Sequence, residues 1–301
     1  MGPRPIDLHL KALRKLGVSI EDSRGFLECK ANHLQGNVIC LDFPSVGATE
    51  NAVLASVKAK GFTEIYNAAR EPEIYNLQCF LNKMGARISG AGSSVIRVEG
   101  VSELSGTTFS VMPDRIVAAT YLCIAAMTEG SVRVTNLPDF PYMESVFSVL
   151  TDIGCRTERN GTVSCLFRPQ RMRPLDILRT MPYPGFPTDA QAPVFTLLTV
   201  ADGTSTVIEN IFENRFKHAE ELCRMGADIV INGRLAVIRG VDSLHGTQVA
   251  CPDLRGAAAL LIASLGAEGD SVLEDIYHLD RGYERIDEVL NAVGLKSKRL
   301  D

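Results

Sequence analysis

No stretch of these 301 residues carries the eighteen or so consecutive apolar side chains that a membrane span requires. The longest candidates, around Ala118–Met127 and Ala257–Leu265, are short and alanine-rich and suit buried helices. The opening string MGPRPIDLHL lacks the apolar core of a secretory leader, so a cytoplasmic protein with no membrane partner is expected. A basic excess is also missing. The 31 Lys and Arg stand against 36 Asp and Glu, a net charge of −5, which argues against a nucleic-acid partner. The eight cysteines form no C-x-x-C pair and lie mostly in apolar strings such as NVICLD and TYLCIAAM, as buried thiols in a reducing compartment would. The five histidines show no metal-ligand spacing, so no metal is expected. The absence of G-x-x-x-x-G-K-S/T, of G-x-G-x-x-G and of a nucleophile-elbow serine disfavours P-loop, dinucleotide-binding and serine-hydrolase chemistry.

What the chain does have is an internal repeat. A helix-like string closing on glycine recurs as ALRKLGVSIE, FLNKMGARIS, VLTDIGCRTE, LCRMGADIVI and VLNAVGLKSK. Its glycines, Gly17, Gly85, Gly154, Gly226 and Gly294, are separated by 68, 69, 72 and 68 residues. Apolar residues at i, i+3 or i+4 precede each glycine, and glycine suits the left-handed position after a helix. Two strands follow, and Asn160-Gly161 and Asn232-Gly233 signal tight hairpins between them. A further strand is expected near FSVM, NVICLD or TQVACP. A second helix then opens at Thr49 or Glu50, Asp114, Asp189 and Asp253. These helices are expected to end at Gly61, Gly130, Gly203 and Gly269, each followed by a β-branched strand. The unit reads as βαβαββ, with alanine-rich helices inside and sheets outside.

Charge collects where the copies depart from this template. The turn after the β-branched strand carries Arg70, Arg215 and Arg281 in three copies, the helix-opening turns add Arg115 and Arg255, and Arg4 stands in GPRPIDLH. Arginine at a helix N-terminus runs against the macrodipole, which favours anions there. Several such guanidiniums, together with free N–H groups, suit a phosphate or carboxylate ligand. Asp189, at a loop–helix junction, reads either as a general base toward a hydroxyl or as a plain N-cap. His218 and His278 lie in the arginine turns and read as either anion-binding or packed.

Eight strings are similar, in order and spacing, to UDP-N-acetylglucosamine enolpyruvyl transferases: RPIDLH, PSVGATEN, NAAREPEI, PDRI, GFPTDAQA, IFENRFKH, DLR and YHLDRGYERI. The resemblance covers essentially the whole chain. The sister family that makes enolpyruvyl-shikimate phosphate lacks RPIDLH and AAREPE. The resemblance implies an α/β fold, the inside-out barrel of repeated βαβαββ units. Residues 1–112 would form part of a first domain (two of three units) and residues 113–301 a second domain. It implies transfer of enolpyruvyl from phosphoenolpyruvate to the sugar 3′-hydroxyl, with these small molecules as partners, no cofactor, and a monomer. Arg4, Arg215, Arg255 and Arg281 match positions that hold phosphoenolpyruvate, and Asp189 matches the carboxylate that takes the hydroxyl proton. Asp253 matches a position beside the reacting carbon. Arg4, Pro5, Ile6, Asp7 and Leu8, then Phe43, Pro44, Ser45 and Val46, then Ile211, match nucleotide-sugar contacts. The family's general-acid cysteine precedes its G-x-R-P string, a place that falls upstream of Met1 and that none of the eight cysteines takes. Impaired turnover and poor solubility of residues 1–112 are therefore expected, with a non-catalytic nucleotide-sugar or anion-binding remnant as the alternative.

Overall fold

The computed structural model describes residues 6–128, 130–138 and 140–300. The chain divides into two units. One runs to Met112 and takes in Pro182–Pro184, and the other comprises Pro113–Met181 and everything from Gly185 onward.

The first unit contains, in order, α1 (Asp7–Lys15), β1 (Ser19–Ser23), β2 (Phe26–Lys30), β3 (Val38–Cys40), α2 (Val46–Ser56), β4 (Phe62–Tyr66), α3 (Pro72–Lys83), β5 (Arg87–Ser89) and β6 (Val95–Glu99). One sheet has the order β3-β4-β6-β5, with β3 parallel to β4 and the remaining pairs antiparallel. Its inward residues Ile39, Ile65, Ile96 and Val98 meet Ala48, Ala52 and Val53 of α2 in one core. Strands β1 and β2 form a separate hairpin closed by Arg24 and Gly25, both at positive φ, as a type I′ turn requires. Among the described residues no further strand lies along β2, and Phe26 on it is 78% exposed.

The second unit contains α4 (Arg115–Met127), β7 (Ser131–Val134), α5 (Glu144–Asp152), β8 (Arg156–Asn160), β9 (Val163–Phe167), β10 (Leu178–Arg179), α6 (Thr188–Leu198), β11 (Thr204–Ile208), α7 (His218–Arg224), β12 (Asp228–Asn232), β13 (Leu235–Arg239), β14 (Gln248–Ala250), α8 (Leu254–Gly266), β15 (Val272–Glu274), α9 (Tyr277–Asp280) and α10 (Ile286–Ala292). Three sheets, β7-β9-β8, β10-β11-β13-β12 and β14-β15, surround α4, α6 and α8, which pack on one another. These helices are apolar nearly all round, and Leu122, Phe195 and Leu260 are wholly buried. A helix without a polar face belongs in a core, and here the helices are the core and the sheets its cover. The inside-out α/β arrangement is thus present.

The repeat holds at atomic detail. Gly100 and Gly240 each end an equivalent strand, and a Cβ at either would lie 1.6 Å from a carbonyl oxygen, of Ala59 and Ala201 respectively. Their N–H groups donate to the oxygens of Gly61 and Gly203, both at 2.9 Å. The five signature glycines all have positive φ, between 93° and 104°, directly after their helices, as the sequence implies.

Several local expectations are corrected. Helix α2 opens at Ser45, whose Oγ accepts from the Ala48 N–H at 3.4 Å, and not at Thr49 or Glu50. Asp114 and Asp253 are N-caps, but Asp189 is not. The hairpin turns centre on Gly161-Thr162 and Gly233-Arg234, one residue later than the Asn-Gly pairs, with glycine at the first central position. Gly61, Gly130, Gly203 and Gly269 lie beyond the helix ends and lead into strands. FSVM forms no strand: the chain there passes from one unit to the other, and among the described residues β7 pairs only with β9. The strand beside β11 is instead the two-residue β10, which the sequence reading missed.

Candidate active site

Helix α6 begins at an extended Pro187 with no side-chain cap, which places Asp189 in its first turn with the carboxylate free to reach sideways. Oδ1 accepts from Nη2 of Arg215, and Oδ2 accepts from Nη2 of Arg255 at 3.3 Å. The arginines come from two different repeat copies, one before α7 and one in the first turn of α8. Their side chains are 14% and 15% exposed, against 40% for Asp189, so the carboxylate is the open end of the cluster. Burial pushes the Asp189 carboxyl up, but the guanidinium charges, Arg255 first and then Arg215, outweigh it and hold the group below the usual carboxylate range. For Arg255, burial pulls the pKa down, and Asp189 and Tyr283 together push it above its ordinary value.

Each arginine is itself positioned. Asp253 caps α8, its Oδ1 accepting from the N–H groups of Arg255 (3.0 Å) and Gly256 (2.9 Å), which fixes the turn that carries Arg255. Nη1 of Arg255 donates to the Tyr283 hydroxyl at 3.3 Å. Arg215 lies over the Phe212 ring, 5.4 Å from its centroid. Glu209, 1% exposed, accepts from Thr188 Oγ1 at 3.0 Å and from the N–H groups of Ile211 at 2.8 Å and Phe212 at 3.0 Å. His218 is buried against Phe195, ring centroids 5.0 Å apart. Burial lowers its pKa to about 4, so at neutral pH it adds no charge, which removes the anion-binding reading of this residue.

Asp189, Arg215, Arg255, Asp253 and Ile211 are therefore brought together in the second unit. Arg281 ends α9 in the same unit, exposed and without an ion pair among the described residues, two positions before Tyr283. In the first unit, Ile6, Asp7 and Leu8 open α1, while Phe43, Pro44, Ser45 and Val46 lead into α2, which packs on α1. A Cβ at Gly47 would stand 3.1 Å from His9 Cε1, and His9 Nδ1 lies 2.7 Å from Asn51 Nδ2, so these two strings also meet. Arg4 and Pro5 lie outside the described residues. Tyr283, Thr120 and Glu209 were missed by the sequence reading. The available signal was a polar residue within an otherwise apolar string, as in STVIEN.

A family model described as EPSP synthase (3-phosphoshikimate 1-carboxyvinyltransferase) matches residues 1–290. UDP-N-acetylglucosamine 1-carboxyvinyltransferase 2 of Caldanaerobacter subterraneus subsp. tengcongensis is 52% identical over 300 residues, covering 100% of this chain and 72% of that protein. UDP-N-acetylglucosamine 1-carboxyvinyltransferase 1 of Symbiobacterium thermophilum is 50% identical over 302 residues, covering 100% of this chain and 68% of that one. Among solved structures, the enolpyruvyl transferase NikO from Streptomyces tendae superposes with a TM-score of 0.89 at 24% identity, over 97% of this chain and 72% of that one. EPSP synthase from Acinetobacter baumannii gives 0.74 at 20%, over 99% and 72%. The two structures share the fold, and the family follows from relatives about half identical along the full length. The chain belongs to the UDP-N-acetylglucosamine 1-carboxyvinyltransferase family of enolpyruvyl transferases.

Proposed function

We propose that this chain transfers enolpyruvyl from phosphoenolpyruvate to the 3′-hydroxyl of UDP-N-acetylglucosamine, with Arg215 and Arg255 receiving the anionic donor and Asp189 taking the hydroxyl proton. The supporting observation is the double ion pair on a partly exposed carboxylate. Without substrate, Asp189 is the counter-ion of two guanidiniums that would otherwise sit unpaired and largely buried. A phosphate or carboxylate group competes for those N–H donors, and loosening their hold restores basicity to Asp189 where the hydroxyl arrives. The chemistry requires a proton on the methylene carbon of phosphoenolpyruvate, addition of the sugar oxygen to the neighbouring carbon, and loss of phosphate with a proton from the new methyl group. Arg281, exposed and without an ion pair among the described residues, is a third cation for the donor. Within the first unit the strings Ile6–Leu8 and Phe43–Val46 are the residues for nucleotide-sugar contact, and within the second unit Ile211 is one.

Incubation of the chain with both substrates, followed by mass spectrometry and phosphate assay, tests this reading. Slow formation of enolpyruvyl-UDP-N-acetylglucosamine with equimolar phosphate is expected, since none of the eight cysteines takes the place of the general acid, with Asp189→Asn abolishing both. Binding of both substrates without product would confine the chain to holding ligands, and failure to bind either would refute the proposal.

A further inference from the structure

We propose that Glu209 is a positioning residue whose carboxylate sets Asp189 against Arg215; the inference rests on reading those two as a functional pair. Its two oxygens face two different loops. Oε2 accepts from the hydroxyl of Thr188, the residue immediately before Asp189, at 3.0 Å. Oε1 accepts from the N–H groups of Ile211 and Phe212 at 2.8 and 3.0 Å, where the turn toward Arg215 begins. The Glu209 N–H donates to the Arg234 carbonyl at 2.9 Å, which anchors the residue to the sheet.

Three features argue that this is more than packing. Glu209 is 1% exposed and, among the described residues, has no ion-pair partner. A carboxylate buried without a cation is costly, and only the three donors that converge on its oxygens offset that cost. Both oxygens of Glu209 accept, so all three donors point inward and a single register satisfies them. Helix α6 also has no side-chain N-cap, and the Thr188 hydroxyl is committed to Glu209. The start of the helix that carries Asp189 is thus held from the end of the next strand of the same copy, at the head of the turn that leads to Arg215.

The test is an NMR titration of the Asp189 carboxyl in the full chain labelled with carboxyl-¹³C aspartate, its signal assigned by Asp189→Asn. It needs no substrate and no turnover. In Thr188→Val, nearly isosteric and lacking only the hydroxyl, the Asp189 midpoint is expected to move up toward the ordinary aspartate value, with Thr188→Ser restoring it. Glu209→Gln, which keeps the backbone contacts through its carbonyl, is expected to move it less than Thr188→Val combined with Glu209→Ala. Phosphoenolpyruvate binding by calorimetry should weaken about tenfold in Thr188→Val, the scale of a small misplacement of a binding group. A lower melting temperature with an unmoved Asp189 midpoint would overturn the proposal and leave Glu209 a stabilising residue only. If Arg215→Ala also fails to move that midpoint, the Asp189–Arg215 pair itself is wrong. If the midpoint moves as expected while phosphoenolpyruvate does not bind wild type, the functional reading fails and the positioning role stands.

Discussion

The Tyr283 hydroxyl receives Nη1 of Arg255 at 3.3 Å and lies 2.8 Å from Thr120 Oγ1, so one buried phenol links an inner helix to the guanidinium that grips Asp189. Burial raises the Tyr283 pKa, which keeps the hydroxyl protonated and able to serve both neighbours. Arginine in the first turn of a helix opposes the dipole, and this contact helps hold it there.

Two substitutions separate the roles of that hydroxyl. Tyr283→Phe and Thr120→Val each remove a buried hydrogen bond, and each is expected to cost about 1 kcal/mol in urea unfolding. Only Tyr283→Phe releases Arg255. Phosphoenolpyruvate affinity, measured by calorimetry, should therefore fall in Tyr283→Phe and stay near wild type in Thr120→Val. Equal affinities in the two variants would separate Tyr283 from the anion site.

His218 gives the stability a pH dependence. Its pKa in the folded protein is lowered to about 4, from an ordinary 6.5, chiefly by burial. As pH falls through 6.5 the unfolded chain takes up a proton that the folded chain refuses. The contribution of His218 is therefore complete above about pH 7 and is lost between 6.5 and 4, to an extent of about 3 kcal/mol. Urea unfolding across that range should show this slope in wild type and a shallower one in His218→Asn. Parallel profiles would contradict the burial of a neutral ring.

The β1–β2 hairpin offers an open strand edge with Phe26 78% and Leu27 41% exposed. Exposed apolar edges favour self-association. Phe26→Lys should lower the sedimentation-weighted mass at high protein concentration while shifting the unfolding free energy by less than about 0.5 kcal/mol. An unchanged mass would show that this edge is not what associates.

The periodic part of the fold was readable because it rests on local rules. A glycine after each amphipathic helix does the same job in every copy, an aspartate caps α4 and α8, and spacing alone reveals them. Asp189 illustrates the limit. Its sequence context equally suited an N-cap, and what made it a charge partner is the arrival of Arg215 and Arg255, 26 and 66 residues later in the chain. Pairings at that range depend on how the inner helices pack. Glu209 and Tyr283 were hidden for the same reason: their partners are backbone groups and side chains assembled only by folding. His218 sat in a cationic turn, yet burial cancels its charge. FSVM has strand-like composition but lies where the chain passes from one unit to the other, and it forms no strand.

The convergence of Arg215 and Arg255 on one anion-binding centre is tested most directly by the phosphoenolpyruvate dissociation constant of the full chain, measured by calorimetry without the acceptor sugar so that no turnover adds heat. Removing a charged hydrogen-bond donor costs about 1.5–3 kcal/mol. Arg215→Gln and Arg255→Gln should therefore each weaken binding by about tenfold or more. Dissociation constants in both variants equal to wild type would contradict the assignment.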